Sequence, residues 1–150
     1  MQTRLAHPLV SYTLVVSQFS TLIALVASTT VWYETFIALF LQSTGAAIGI
    51  WAAFTMRLTQ IAILPDPSDD ILLIQSGPYR FIRHPMYLSV LLIMIPMVSV
   101  EPTLQRLILL ALLFVTLLTK LHYEEYLLKK RFSNYAAYQK RTKKLLPWVF

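Results

Sequence analysis

Residues 77–87 read Gly-Pro-Tyr-Arg-Phe-Ile-Arg-His-Pro-Met-Tyr and lead directly into an uncharged apolar stretch. Pro78 and Pro85 fix φ and lack backbone donors, whereas Gly77 permits a φ that other residues resist. The stretch therefore predicts a stiff cationic turn at the start of an apolar helix. A stiff turn of this kind suits a site that holds an anionic or polar ligand in one pose.

The composition is that of a membrane protein. Hydrophobic residues make up 57% of the 150 residues and charged residues 13%, and the mean hydropathy is +0.61. Soluble domains carry about 25% charged residues, so we predict a single integral membrane domain. The absence of cysteine excludes disulfides, thiolate metal ligands and a cysteine nucleophile.

The positive charge is concentrated near one end of the chain. The formal net charge is +6, and eight of the thirteen basic residues lie at or after Lys120. This placement after an apolar segment is typical of positive-inside topology and of attraction to anionic membrane lipids. No base-stacking module accompanies the charge, so a nucleic-acid partner is not expected.

Four uncharged or apolar segments predict an all-α integral membrane protein with about four transmembrane helices and cytoplasmic termini. The last two segments form a hairpin, and the second of them continues as a helix into the aqueous boundary. A polar loop that carries the site and an interfacial tail lie on the same, cytoplasmic side. The predicted spans are 9–31, 35–56, 86–100 and 103–121; the loop is 57–85 and the tail 122–150.

The second span carries a small-residue face from Gly45 to Gly49. Such a face lets another helix or a ligand approach the backbone closely. Simple helix packing is one interpretation, and pairing of subunits is another. The sequence leaves the oligomeric state open.

The adjacent carboxylates Glu124 and Glu125 follow the fourth span, where helix-terminal carbonyls and anionic lipid disfavour negative charge. A cation is therefore expected beside them. Glu125 precedes Lys129 by four residues, the favourable order for a helical ion pair. Glu124 has no such partner and is the better candidate for a ligand cation or for pairing with Arg83.

On the turn, Arg83 and His84 beside Tyr87 are candidates to bind a carboxylate together with the amides that begin the following helix. The alternative is that Arg80 and Arg83 only anchor the helix to lipid phosphates. His122 is read as structural or as a proton acceptor. The three histidines lie in separate segments with no metal-ligand spacing, so no metal site is expected.

Two stretches together resemble a known family. The sequence SGPYRFIRHPMYLSVLL (76–92) and the sequence KLHYEEYLLKKRFSNYAAYQKRTKKLLP (120–147) are similar to membrane methyltransferases of the isoprenylcysteine carboxyl methyltransferase and phospholipid methyltransferase superfamily. The segment GAAIGIWAAFTMR (45–57) resembles the small-residue helix of that family. The loop ILPDPSDD (63–70) looks like that of small bacterial members, which implies a bacterial inner membrane.

The resemblance implies the cofactor S-adenosylmethionine, bound at the cytoplasmic membrane boundary. The carboxylate of that cofactor suits the turn, its ammonium and hydroxyls suit the glutamates, and its adenine suits the tyrosines. Arg83 and Glu124 are the expected catalytic residues. The expected cofactor-binding residues are Gly77, Tyr79, Arg83, His84, Pro85, Tyr87, Glu124, Glu125, Tyr135 and Tyr138.

The resemblance also implies a lipophilic or membrane-embedded acceptor that enters from the bilayer. A carboxylate acceptor arrives deprotonated, whereas an amine must lose a proton, for which Glu124 or His84 is the nearest candidate. Two alternatives remain: an NADPH-dependent reductase of the related sterol-reductase type, and a membrane binding or adaptor protein without catalysis.

Overall fold

The structure is a computed structural model that describes residues 8–29, 35–56 and 72–146. Within these ranges the chain forms five α-helices and one short 3-10 helix. In chain order these are α1 (Pro8–Ser28), α2 (Phe36–Met56), the 3-10 helix (Gly77–Arg80), α3 (Pro85–Val100), α4 (Leu104–Arg131) and α5 (Tyr135–Arg141). Residues 57–71 of the predicted polar loop and residues 147–150 of the predicted tail lie outside the described residues.

Three of these helices, α1, α2 and α4, are long and apolar enough to cross a membrane. The 21 residues of α1 and of α2 correspond to about 31 Å each, the thickness of a bilayer core. The third apolar arm, α3, has only 16 residues, or about 24 Å. These helices confirm the predicted all-α membrane fold, including the shortness of the third arm.

The predicted continuation of the fourth span is also observed, since α4 is one helix of 28 residues. The side chain of Thr103 caps its start by accepting a hydrogen bond from the amide of Arg106 at 3.3 Å. Such a cap satisfies one of the amides that a helix start leaves open. The other end carries three basic residues in the last turn, where cations favour the helix dipole.

The core lies where α3 packs between α2 and α4, with α1 against α4. Large apolar side chains that face away from it are exposed, among them Ile23, Phe36, Phe54 and Ile108. Exposed apolar surface of this extent suits contact with lipid. The buried cluster comprises Leu25, Ile82, Tyr87, Leu88, Leu91, Met94, Met97, Val98, Leu113, Leu117, Leu121 and Leu145.

The small-residue face of α2 packs against α3. A Cβ added at Gly45 would lie 2.9 Å from the Cβ of Leu92 and 3.0 Å from the carbonyl oxygen of Ser89. A Cβ at Gly49 would lie 2.5 Å from the hydroxyl of Ser89. The helix-packing interpretation is thus the correct one, and this face is already filled by the chain itself rather than open to a second subunit.

At the end of the helix bundle opposite the turn, Arg106 joins α1 to the α3–α4 connection. Its guanidinium donates to a carboxylate oxygen of Glu101 at 2.6 Å and to the carbonyl of Ser28. The side chain of Arg106 is buried, so its charge is compensated by the carboxylate and by carbonyls at the end of α1. This contact fixes the position of α1 along α4.

The Arg-His-Pro turn and the carboxylates of α4

Gly77 begins the turn with a φ of +57°, the left-handed conformation that favours glycine. A Cβ there would collide with the side chain of Thr55 at the end of α2. The prediction that Gly77 adopts a backbone conformation that other residues resist is confirmed. The residue sets the path of the chain below α2, and Pro78 and Tyr79 after it are buried.

The turn is paired with the segment that follows α5. The amide of Arg83 donates to the carbonyl of Lys143 at 2.8 Å, and the amide of His84 donates to that of Lys144 at 3.0 Å. The amide of Lys143 in turn donates to the carbonyl of Phe81 at 3.2 Å. Residues 81–84 and 143–144 therefore form one short parallel pairing, which brings the chain's C-terminal segment to the start of α3.

Several of the amides around the start of α3 are occupied by this arrangement. Those of Arg83 and His84 take part in the pairing, and those of Tyr87 and Leu88 both donate to the carbonyl of His84. Pro85 has no amide hydrogen. The C-terminal segment and the first turn of α3 thus take up these four amides, and the expected contribution of the helix-start amides to ligand binding stays a prediction.

Arg83 pairs with Glu125, and the predicted pairing of Arg83 with Glu124 is wrong. The Nε of Arg83 donates to Oε1 of Glu125 at 2.5 Å, and the two side chains are only 7% and 8% exposed. Its Nη1 donates to the carbonyl of Thr142 at 2.5 Å and to that of Gln139 at 3.3 Å. Arg83 thus connects α4 to the C-terminal segment.

Glu125 contacts the turn and α5 in place of the alternative ion pair with Lys129. The second carboxylate oxygen of Glu125 accepts from the side-chain amide of Gln139 at 3.0 Å, and Lys129 is exposed. Successive helical residues point about 100° apart, so Glu125 faces the turn while Glu124 faces α3. Partner choice therefore follows from the rotation of α4.

Glu124 belongs to a second group with Tyr87 and His84. The hydroxyl of Tyr87 donates to Oε1 of Glu124 at 2.5 Å, and Nδ1 of His84 lies 3.6 Å from Oε2 of Glu124. The rings of His84 and Tyr87 are stacked with centroids 5.4 Å apart and 2° between their planes. The side chain of Glu124 is 20% exposed, so this carboxylate is the more accessible of the two.

The imidazole of His84 bridges the two carboxylates. Its Nε2 lies 3.4 Å from Oε1 of Glu125 but makes no hydrogen bond within the described part of the chain. The residue itself is 7% exposed. Buried polar atoms normally have a hydrogen-bond partner, so this nitrogen is a candidate contact for a ligand group.

The expected aromatic residues of the tail lie beneath this group rather than on the surface. Tyr135 is 1% and Tyr138 4% exposed, and the hydroxyl of Tyr138 donates to the carbonyl of Tyr79 at 2.7 Å. Burial raises the pKa of both Tyr135 and Tyr138. It raises the pKa of Tyr79 to about 12, with a further contribution from the charge of Glu124.

An open cleft of about 340 Å³ adjoins Arg83. Its size is at the lower end of the range for small-ligand sites, and its lining is strongly cationic. We call it the basic cleft; it is lined by Arg83, Gln139, Lys140, Arg141, Thr142, Lys143 and Lys144. The arrangement combines a concentration of positive charge with the carboxylate of Glu124 on the other side of the turn.

Two residues of the site were missed by the sequence-based argument. Lys120 is 4% exposed, its Nζ donates to the side-chain carbonyl of Gln18 in α1 at 2.9 Å, and it lies 5.6 Å from the centroid of the Tyr87 ring. In the sequence Lys120 is only the first of the basic residues near the end of the fourth predicted span. Gln18 lies in an uncharged run, and no local signal links it to a residue 102 positions away.

Two other predicted residues stay peripheral. Arg80 is exposed, as a contact with lipid phosphate requires. Nδ1 of His122 donates to the carbonyl of Leu118 at 2.7 Å, and its Nε2 lies 3.0 Å from Nζ of Lys144. Its hydrogen bonds are therefore local to the end of α4 and the C-terminal segment.

Comparison with known proteins identifies a family. The family model for phospholipid methyltransferases matches residues 33–135, more than half of the chain. No curated protein matches the sequence. The matched residues contain α2, the turn, α3 and α4 with both carboxylates; α1 lies before them, and most of the basic cleft lies after them.

Proposed function

Because this chain belongs to the phospholipid methyltransferase family, we propose that it transfers the methyl group of S-adenosylmethionine to a lipophilic acceptor at the cytoplasmic boundary of the membrane. Family membership indicates a membrane methyltransferase; the cofactor, the acceptor class and the side of the membrane are the parts proposed. The observation that carries the proposal is the accessible carboxylate of Glu124, held by Tyr87 and by His84 of the same turn whose Arg83 lines the basic cleft.

The charges of this chain fit those of the cofactor. Glu124 is partly exposed and ionisable, and suits an ammonium or ribose hydroxyls. The basic cleft suits a carboxylate, and the buried Nε2 of His84, which lies 3.4 Å from Glu125 and makes no hydrogen bond within the described residues, adds a polar contact. When bound, S-adenosylmethionine supplies a methyl group that its sulfonium already activates.

The chain's own residues then have to align the acceptor and exclude water. Arg83 and Glu125 are committed to each other and to the C-terminal segment, so they hold the shape of the site. Glu124 is the residue left to contact ligand. For an amine acceptor, Glu124 Oε2 beside His84 Nδ1, 3.6 Å apart, is the place where a proton is taken up.

The membrane setting supports an acceptor that arrives from the lipid phase. The turn starts α3, whose remaining length is apolar, and large apolar side chains face outward on the neighbouring helices. The basic residues of the cleft favour the cytoplasmic side by the positive-inside rule.

Calorimetry on the detergent-purified protein tests the proposal, with S-adenosylmethionine and NADPH as competing probes. We expect binding of S-adenosylmethionine and a loss of at least about tenfold in affinity for Glu124→Gln, as for a charged hydrogen bond of about 1.5–3 kcal/mol. Lys129→Gln is the control, since it removes one exposed charge from the same end of α4 and should bind normally.

Binding of NADPH alone would refute the methyltransferase proposal in favour of the reductase. Binding of neither probe by folded protein would favour the adaptor. If Glu124→Gln binds as tightly as the natural protein, the cofactor is bound elsewhere. Incubation of a lipid extract with a radiolabelled methyl donor then identifies the acceptor.

A further inference from the structure

The first helix contacts the site although it lies before the residues that match the family. Gln18 stands near the middle of α1, is 8% exposed, and accepts a hydrogen bond from Nζ of Lys120 at 2.9 Å. Nothing in the family match assigns a role to this contact.

The ammonium of Lys120 is directed toward the ligand-facing group. It lies 5.6 Å from the centroid of the Tyr87 ring, and the hydroxyl of that ring donates to Glu124 at 2.5 Å. Lys120 also precedes Glu124 by four residues on α4, so the two side chains share one face of the helix. A hydrogen bond, a cation–π contact and a second hydrogen bond thus link Gln18, Lys120, Tyr87 and Glu124 in series from α1 to the site.

A charge at this depth is expensive for a structural contact. A buried lysine in a membrane helix costs several kcal/mol unless it is compensated, and Gln18 supplies only a neutral acceptor. One turn away, a neutral contact joins α1 to α4, since the hydroxyls of Ser17 and Thr116 lie 3.0 Å apart. Packing of these two helices therefore does not itself require a charge. The carboxylate of Glu124, one helical turn from Lys120 on the same face of α4, is a charge of the opposite sign that this ammonium can compensate.

We propose that Lys120 is a positioning residue, which Gln18 holds against Tyr87 so that its charge compensates and orients Glu124. On this proposal α1 is a functional part of the site rather than only a membrane anchor. The role of Lys120 rests on the proposed function, because it requires that Glu124 contact the cofactor.

A double-mutant cycle tests it, using calorimetric affinity for S-adenosylmethionine and thermal unfolding without ligand. The variants are Lys120→Met, Glu124→Gln and the two combined. We expect Lys120→Met to weaken binding about tenfold, equivalent to about 1.4 kcal/mol. The double variant should bind no more weakly than Glu124→Gln alone, because Lys120 acts through that carboxylate.

Three further variants separate positioning from packing. Lys120→Arg keeps the charge and should bind more tightly than Lys120→Met. Gln18→Leu removes only the hydrogen bond that holds the ammonium, should weaken binding less, and provides the test if Lys120→Met does not fold. Thr116→Val breaks a neutral contact between the same helices, so it should lower the unfolding temperature and leave the affinity unchanged.

Natural affinity in both Lys120→Met and Gln18→Leu would overturn the inference, as would a double variant whose loss is the product of the single losses. If the natural protein does not bind S-adenosylmethionine, the proposed function fails instead. The unfolding temperatures then decide the inference: coupled effects of Lys120→Met and Glu124→Gln support it, and additive effects overturn it.

Discussion

Replacing Glu125 by glutamine should release the C-terminal segment from the turn while leaving the membrane helices folded. Glu125 is the common partner of Arg83 on the turn and of Gln139 in α5. Glutamine keeps the size of the side chain but removes its charge, so the guanidinium of Arg83 remains buried without a counter-ion. Residues 132–146 are held by these contacts and by the short backbone pairing with the turn.

The magnitude follows from burial of the pair. The side chains of Arg83 and Glu125 are 7% and 8% exposed, and removal of one partner from a buried ion pair costs about 3–5 kcal/mol. Glutamine still offers a carbonyl acceptor, and Arg83 keeps the carbonyls of Thr142 and Gln139, so the lower end applies. A cost of about 3 kcal/mol raises the population of the opened segment by about 150-fold.

Limited trypsin digestion in detergent measures this opening, because Lys140, Arg141 and Lys143 are exposed cleavage sites within the segment. Cleavage of a transiently opened segment follows its equilibrium population when closing is fast. We expect cleavage there, mapped by mass spectrometry, to accelerate by about two orders of magnitude in Glu125→Gln. Glu124→Gln is the control, since Glu124 does not bond to the segment.

Equal protection of the segment in Glu125→Gln and in the natural protein would refute the account of Arg83 and Glu125 as its main attachment. Equal acceleration in Glu124→Gln would refute the division of roles between the two carboxylates.

The remaining predictions concern packing and pH. Gly45→Ala should destabilise the protein by about 1–3 kcal/mol, because the new methyl group meets the backbone carbonyl of Ser89. Thermal unfolding measures this loss, and an unchanged unfolding temperature would contradict the close approach of α2 and α3. Burial and the charge of Glu124 raise the pKa of Tyr79 to about 12 from its usual 10, so its stabilising contribution is complete below pH 10 and is lost as the pH rises toward 12. The free energy of unfolding of Tyr79→Phe should therefore fall less between pH 10 and 12 than that of the natural protein. Equal losses in the two proteins would show that Tyr79 titrates as it does in the unfolded chain.

Local features made much of this protein predictable. The uncharged runs predict α1, α2 and the α3–α4 hairpin because apolar length and bilayer thickness are directly related. The unusual backbone conformation of Gly77 was predicted because glycine, which has no Cβ, adopts a positive φ readily, and the observed φ is positive. The resemblance of the turn and of the two carboxylates to the methyltransferase family was likewise visible in the chain, and the family match confirms it.

The partners within the site required the tertiary structure. The sequence shows two adjacent carboxylates, but only the rotation of α4 assigns Glu125 to Arg83 and Glu124 to Tyr87. Only the tertiary structure shows that the amides of Arg83 and His84, just before α3, donate to the C-terminal segment.

By itself, then, the sequence determined the membrane-spanning helices, the shape of the turn and the family, because each depends on residues that are close along the chain. The tertiary structure alone decided which charges meet, including the contact of Gln18 with Lys120 across 102 positions. The physical reason is that an ion pair or hydrogen bond depends on the mutual rotation and register of separate helices, and these are set by packing that no short stretch of sequence encodes.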